Sequence, residues 1–194
     1  MTASRADAVL SPDSLRLFVA LWLPEALAKA ALSRLALLRR DGRGVRWVRP
    51  DQLHLTLKFL GETPAAFLPE IERALAGVAA ASTSFALDLE AGGVFPPSGP
   101  PRVVWLGVSP AAKLVELAAR VEQALQPLGF DPETRPFRPH LTLGRAEPGA
   151  VFDRALLARP LAAQPETIAA LSLVQSQLRP GGSVYRTVAE WKLG

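Results

Sequence analysis

Between Leu15 and Leu23 every odd position is aliphatic, and Phe18, Ala20 and Trp22 make most even positions apolar as well. A period of two with both faces apolar predicts a strand buried on both sides. Pro24 stands where a helix favours proline at its start, and Glu25 to Arg40 carries the amphipathic spacing of a helix. Asp41, Gly42, Arg43 and Gly44 break it. Short strands are expected over Val45 to Val48 and, beyond the turn at Pro50, over Leu53 to Leu60, ending at Gly61. A second helix is expected from about Ala66 to Ala79. Strands at Phe85 to Leu89 and Arg102 to Val108 flank the Gly- and Pro-rich stretch Gly92 to Pro101. A helix over Ala111 to Leu125, a strand over Pro139 to Gly144 and a short helix over Asp153 to Leu157 follow. The chain closes with a long strand from Ile168 to Leu178, a turn at Pro180, Gly181 and Gly182, and a strand from Val184 to Lys192.

Strands joined by short connections, with helices interspersed, predict an α+β fold with mainly antiparallel sheets. No segment has the composition of an interdomain linker. A single domain over 14–194 is expected, preceded by a flexible leader over 1–13. The long loop Gly92 to Pro101 is expected to border a site.

Composition narrows the class. Apolar residues make up 49% of the 194 positions and charged residues 21%, which is globular and not disordered. The 18 prolines and 14 glycines imply many short elements, so a plain helical bundle is not expected. Cysteine is absent, which excludes disulfides and thiolate metal sites and fits a reducing compartment. No apolar run is long enough to span a bilayer, and the N-terminus lacks a signal-type apolar run, so a cytoplasmic location is expected. The net charge of +4 favours polyanions only weakly.

The chemistry lies in a repetition. The chain has two histidines, and each stands in the same tetrapeptide: His54, Leu55, Thr56, Leu57 and His140, Leu141, Thr142, Leu143. In a strand, the His and Thr of each share one face while the leucines share the other. Two such strands brought together surround one small volume with two imidazoles and two hydroxyls. A single histidine in a strand is ordinarily structural, but neither packing nor propensity explains why both fall in identical contexts.

That set suits a phosphodiester. Opening a cyclic phosphate with water needs a base for the water and an acid for the departing oxygen. With an ordinary pKa of about 6.5, one imidazole can be neutral and the other protonated near neutrality. The threonine hydroxyls can donate to non-bridging oxygens as negative charge builds there. A zinc site would need a carboxylate such as Glu62 or Asp51 beside two distant histidines, unlike the usual ligand spacings. Nucleophile elbows and phosphate-binding glycine loops are absent from the sequence.

The double motif resembles that of the 2H phosphoesterase superfamily. Its surroundings (Arg46 to Val48, Leu53 to Glu62, Arg102 to Val108 and Pro139 to Arg145) are similar to the RNA 2′,3′-cyclic phosphodiesterases, formerly called 2′-5′ RNA ligases. The resemblance covers about Leu15 to Leu193. It implies two similar lobes related by approximate twofold symmetry, with mainly antiparallel sheets flanked by helices and a cleft between them. It implies hydrolysis of RNA 2′,3′-cyclic phosphodiester ends to 2′-phosphomonoesters, with no metal or other cofactor, and reverse 2′-5′ ligation. RNA is then the expected partner, with no obligatory protein partner. By the same similarity His54 is the proton donor and His140 the proton acceptor. A linear 2′-5′ linkage, a small cyclic nucleotide, or nucleotide binding without turnover stay open as alternatives.

Around the motifs, strand parity places Lys58 on the face of His54 and Arg138 on the face of His140. Arg145 follows the second motif with the wrong parity. All three are candidate phosphate ligands, beside Thr56 and Thr142. Trp47 and Phe95 are candidates to stack a base, and Tyr185 is a candidate for the edge of the cleft.

Overall fold

The computed structural model describes residues 13–180 and 182–194. The expected leader, apart from Asp13, and Gly181 of the expected last turn lie outside the described residues. Two antiparallel sheets make up the fold. Strands β1 (Ser14–Trp22), β3 (His54–Pro64), β8 (Ala170–Arg179) and β9 (Gly182–Lys192) form the first, in the order β3-β1-β8-β9. Strands β2 (Arg43–Trp47), β4 (Phe85–Phe95), β5 (Val103–Ser109), β6 (Leu141–Val151) and β7 (Glu166–Ile168) form the second, in the order β2-β6-β5-β4-β7.

The helices exchange sheets. Helix α1 (Glu25–Asp41) follows β1 of the first sheet but packs on β2, β4 and β6 of the second. Helix α3 (Ala111–Leu125) follows β5 of the second sheet but packs on β3 of the first, beside α2 (Leu68–Ala80) on β8 and β9. The short α4 (Ala155–Ala158) lies against β4. Along the chain, a strand, a helix packed on the opposite sheet and a histidine-bearing strand thus occur twice, as β1, α1, β3 and as β5, α3, β6, and the swap ties the two sheets together. Leu27, Ala31, Leu35 and Leu38 of α1 and Leu114, Leu117, Val121 and Leu125 of α3 join one core with the strand residues behind both sheets. Arg34 is buried among them, and its guanidinium donates to the carbonyls of Leu156, Arg159 and Pro160. It fastens α1 to the end of α4.

Several boundaries differ from the sequence reading; strand β6, expected over Pro139 to Gly144, runs from Leu141 to Val151. Strand β4 continues through Gly92 to Phe95, so the irregular loop is shorter than expected. A Cβ at Gly92 would lie 2.0 Å from the Trp105 carbonyl oxygen, so only glycine lets β4 pass β5 at this bulge. Strand β3 continues past Gly61, whose φ of 70° favours glycine, to Pro64. The expected single strand from Ile168 to Leu178 is two: β7 belongs to the second sheet and β8 to the first, with the switch at Ala169. No helix among the described residues is long and apolar enough to cross a membrane.

Candidate active site

Both motifs lie on the helix-free faces of their sheets. The turn Pro50–Gln52 delivers His54 to the start of β3. Gln52 is held by both ends of its side chain: its amide oxygen accepts from the Arg49 N–H at 2.8 Å, and its amide nitrogen donates to the Ser183 carbonyl at 2.6 Å. The Gln52 backbone carbonyl accepts a hydrogen bond from Nδ1 of His54 at 2.7 Å. His140 stands one residue before β6, and its Nδ1 donates to the Arg138 carbonyl at the same distance, 2.7 Å. A carbonyl can only accept, so Nδ1 carries the hydrogen in each ring and Nε2 is left to exchange protons. Nε2 of His54 lies 3.0 Å from the Thr56 hydroxyl. His140 has no matching bond to Thr142 among the described residues.

After each motif the strand carries a bulge at the same place. Val19 opposes Lys58 and Ala20 opposes Thr56, so Leu57 is the extra residue in β3. Val104 opposes Gly144 and Trp105 opposes Thr142, so Leu143 is the extra residue in β6. A bulge reverses the inward and outward sense of everything beyond it. Lys58 therefore turns away from His54 and is buried behind the sheet. Its Nζ donates to Glu122 Oε2 of α3 at 2.6 Å and to the Asp131 carbonyl at 2.8 Å. The expectation that Lys58 binds phosphate is corrected on this ground. The same reversal carries Arg145 onto the cleft face, although regular parity puts it on the other. Its positive charge acts on both histidines.

The electrostatics differ from the sequence reading. Burial pushes the pKa of His54 down to about 4, against the raising effect of the Gln52 carbonyl, and the charges of Arg145 and His140 depress it further. Burial also lowers His140, opposed by the Arg138 carbonyl, and Arg145 lowers it again. Burial and the Arg145 charge thus favour the neutral form of both rings. The charges of Arg145 and His140 are felt at His54, and strands β3 and β6 approach one another.

Aromatic rings line this space. Phe18, Tyr185 and Trp22 surround His54, with ring centroids at 4.9, 5.2 and 5.6 Å. Phe95 meets the His140 ring edge-on at 5.2 Å and stacks on Trp105 at 4.9 Å. Tyr185 thus lies beside His54 and Phe95 beside His140. Trp47 does not: it packs against Phe152 and the core, and a Cβ at Gly144 would come within 2.8 Å of its ring. Arg138 also departs from the expectation. Residues 131–140 form no strand, so parity does not apply to them, and Arg138 reaches His140 by its backbone carbonyl.

Sequence reasoning missed Phe18, Trp22, Phe59 and Trp105 as members of the site. The even positions of β1 carried a signal for the first two, since Trp22 pairs with His54 and Phe18 lies on the same face. Neither rival metal ligand joins the histidines: Asp51 is paired with Arg49 at 3.2 Å, and Glu62 lies farther along β3 opposite Arg16. No group of three or more His, Cys, Asp and Glu side chains is close enough to hold a metal ion among the described residues. A separate apolar groove along α1, lined by Leu32, Leu35 and Val48 among others, shares no residue with this cleft.

The chain is similar to known proteins in sequence and in structure. Residues 23–178 match the family model described as the 2′-5′ RNA ligase superfamily. An RNA 2′,3′-cyclic phosphodiesterase of Geobacillus stearothermophilus is 35% identical over 169 residues, 86% of this chain and 54% of that protein. The chain thus spans about half the length of that relative. An RNA 2′,3′-cyclic phosphodiesterase of Thermus thermophilus is 34% identical over 188 residues, covering 92% of this chain and 90% of its own length. The crystal structure of TT0787, also of Thermus thermophilus, superposes with a TM-score of 0.79 at 30% identity, covering 92% of this chain and 98% of its own.

Proposed function

The chain belongs to the 2′-5′ RNA ligase superfamily, and on that footing we propose that it hydrolyses RNA 2′,3′-cyclic phosphodiester ends to 2′-phosphomonoesters without a metal. The curated relatives in Geobacillus and Thermus carry the name of this activity. The observation that carries the reading is the pair of imidazoles, each anchored through Nδ1 to a carbonyl and presenting Nε2 to a cleft that also feels the charge of Arg145.

A cyclic phosphodiester is a monoanion. Seated between the rings, it opposes the burial and the Arg145 charge that keep both neutral, and so raises the pKa of each. One ring then holds a proton while the other stays basic. Water attacks phosphorus and gives its proton to Nε2 of one histidine. The bond from phosphorus to the 3′-oxygen breaks on the opposite side, and that oxygen takes a proton from Nε2 of the other. Arg145, Thr56 and Thr142 hold the non-bridging oxygens, where charge accumulates.

His54 is the donor and His140 the acceptor. By similarity to the family, the His54 side takes the leaving ribose, beside the half-buried rings of Trp22 and Tyr185, and the His140 side takes the water. Tyr185 borders the nucleoside on the His54 side, and Phe95 packs beside the His140 ring. An RNA 5′-hydroxyl in place of water gives the reverse ligation and a 2′-5′ linkage. The activity belongs to a single unit over 14–194. The absence of cysteine suits the cytoplasm.

An RNA oligonucleotide ending in a 2′,3′-cyclic phosphate, incubated with protein treated exhaustively with EDTA, tests the proposal by mass analysis of the product and by chromatography against 2′- and 3′-phosphate standards. Gain of one water, with the phosphate on the 2′-oxygen, is expected. No turnover, or loss on chelation that one metal ion restores, would overturn it. A 3′-phosphate product would show that the other bond is broken.

A further inference from the structure

The bulges bring the residue five positions after each histidine onto the cleft face, as Phe59 in β3 and Arg145 in β6. Arg145 answers the phosphate. Phe59 cannot, yet it is 64% exposed. All thirteen aromatic residues (8 Phe, 4 Trp and 1 Tyr) lie among the described residues, and Phe59 alone is exposed. Its ring leans on Phe18 at 6.0 Å with an interplanar angle of 45°, and Phe18 in turn lies 4.9 Å from His54. Phe59 opposes Phe18 in the register, so the three rings run outward from the phosphate position along the helix-free face.

Scattered exposed apolar side chains are ordinary on protein surfaces. This one is distinguished by its place. It is fixed on a strand, backed by a fully buried ring, and set beyond the side where the leaving ribose is placed. A flat apolar face open to solvent is what an unstacked base takes up without regard to sequence.

We propose that Phe59 is a stacking platform for the nucleobase upstream of the cyclic-phosphate nucleotide, which makes the preferred substrate an RNA end of at least two nucleotides and not a mononucleotide. The inference rests on the cyclic phosphodiesterase reading and on His54 facing the leaving ribose.

The test compares kcat/KM for adenosine 2′,3′-cyclic phosphate with that for a dinucleotide ending in the same group. The native protein is expected to prefer the dinucleotide roughly 10- to 100-fold, the range that stacking one base supports. Phe59→Ala is expected to bring this ratio close to one, Phe59→Trp to keep it, and a dinucleotide abasic at the upstream position to behave as the mononucleotide does. A ratio unchanged in Phe59→Ala, or an abasic dinucleotide as good as the intact one, would overturn the platform. Turnover of neither substrate by the native protein would instead overturn the cyclic-phosphate reading, and the platform with it.

Discussion

Strands β3 and β6 carry the same tetrapeptide, the same bulge and the same anchoring of Nδ1 to a carbonyl two residues upstream, yet they build two different half-sites. His54 is enclosed by three aromatic rings and bonded to its own threonine; His140 meets Phe95 and Trp105 and lacks that bond. At the position after the tetrapeptide, Lys58 reaches back to Glu122 and Asp131, while Gly144 leaves room for β2 to cross beside β6. Strand β3 is an edge strand, and β6 lies between β2 and β5. Next come Phe59 and Arg145, an apolar ring against a fixed cation. The repeated residues set where the proton-exchanging nitrogens stand. The unrepeated neighbours set what each nitrogen faces.

The comparison breaks most visibly at the histidines themselves. His54→Ala and His140→Ala are each expected to lose about 10²–10⁴-fold in kcat on a cyclic-phosphate RNA. A nitrophenyl phosphodiester separates the two, because nitrophenolate leaves without protonation. On that substrate His54→Ala should recover much of its rate and His140→Ala should not. The reverse pattern of recovery would exchange the two roles.

The next contrast sets Arg145 against Lys58, both candidates for phosphate by sequence. Arg145→Ala should lower kcat/KM by about 10²–10³-fold with little change in stability, since it removes a charge aimed at the phosphate. By NMR titration it should also raise the pKa of both histidines, because its charge depresses both. Lys58→Met should lower stability by about 3 kcal/mol by stranding Glu122, with KM little changed. A raised KM with intact stability for Lys58→Met would return that lysine to the cleft.

The smallest effect is on pH dependence. The folded-state pKa of His54, about 4, lies below the ordinary value of about 6.5. Between these values the unfolded chain takes up a proton that the folded chain refuses. The stability this ring contributes is therefore complete above pH 6.5, shrinks as pH falls, and is gone below about 4. The span amounts to about 3 kcal/mol, and His54→Phe should flatten it in denaturant titrations at a series of pH values. With both free-protein pKa values lowered, the bell of kcat/KM should peak on the acid side of neutrality, with its falling limb below pH 6.5. A peak at or above pH 7 would show that Arg145 and burial do not govern the rings.

The two tetrapeptides in the sequence determined which side chains share a strand face, because a repeated His-x-Thr-x in strand context fixes residue type, spacing and face without reference to the rest of the chain. The alternation from Leu15 to Leu23 and the helical spacing of α1 and α3 likewise determined most elements, since each depends on which side of a short segment meets the core. Tertiary structure decided what depends on distant partners. Parity failed at Lys58 and Arg145 because Leu57 and Leu143 are bulged, and a bulge is defined by the strand opposite and not by the strand that carries it. The split of β7 from β8 escaped the hydrophobic pattern because Ile168 and Leu171 to Val174 are all buried, and burial does not say in which sheet. The lowered pKa of His54 needed the rings of Phe18, Trp22 and Tyr185 and the charge of Arg145 brought together from three other strands. Desolvation and Coulomb interactions act through space, and sequence separation carries no record of them.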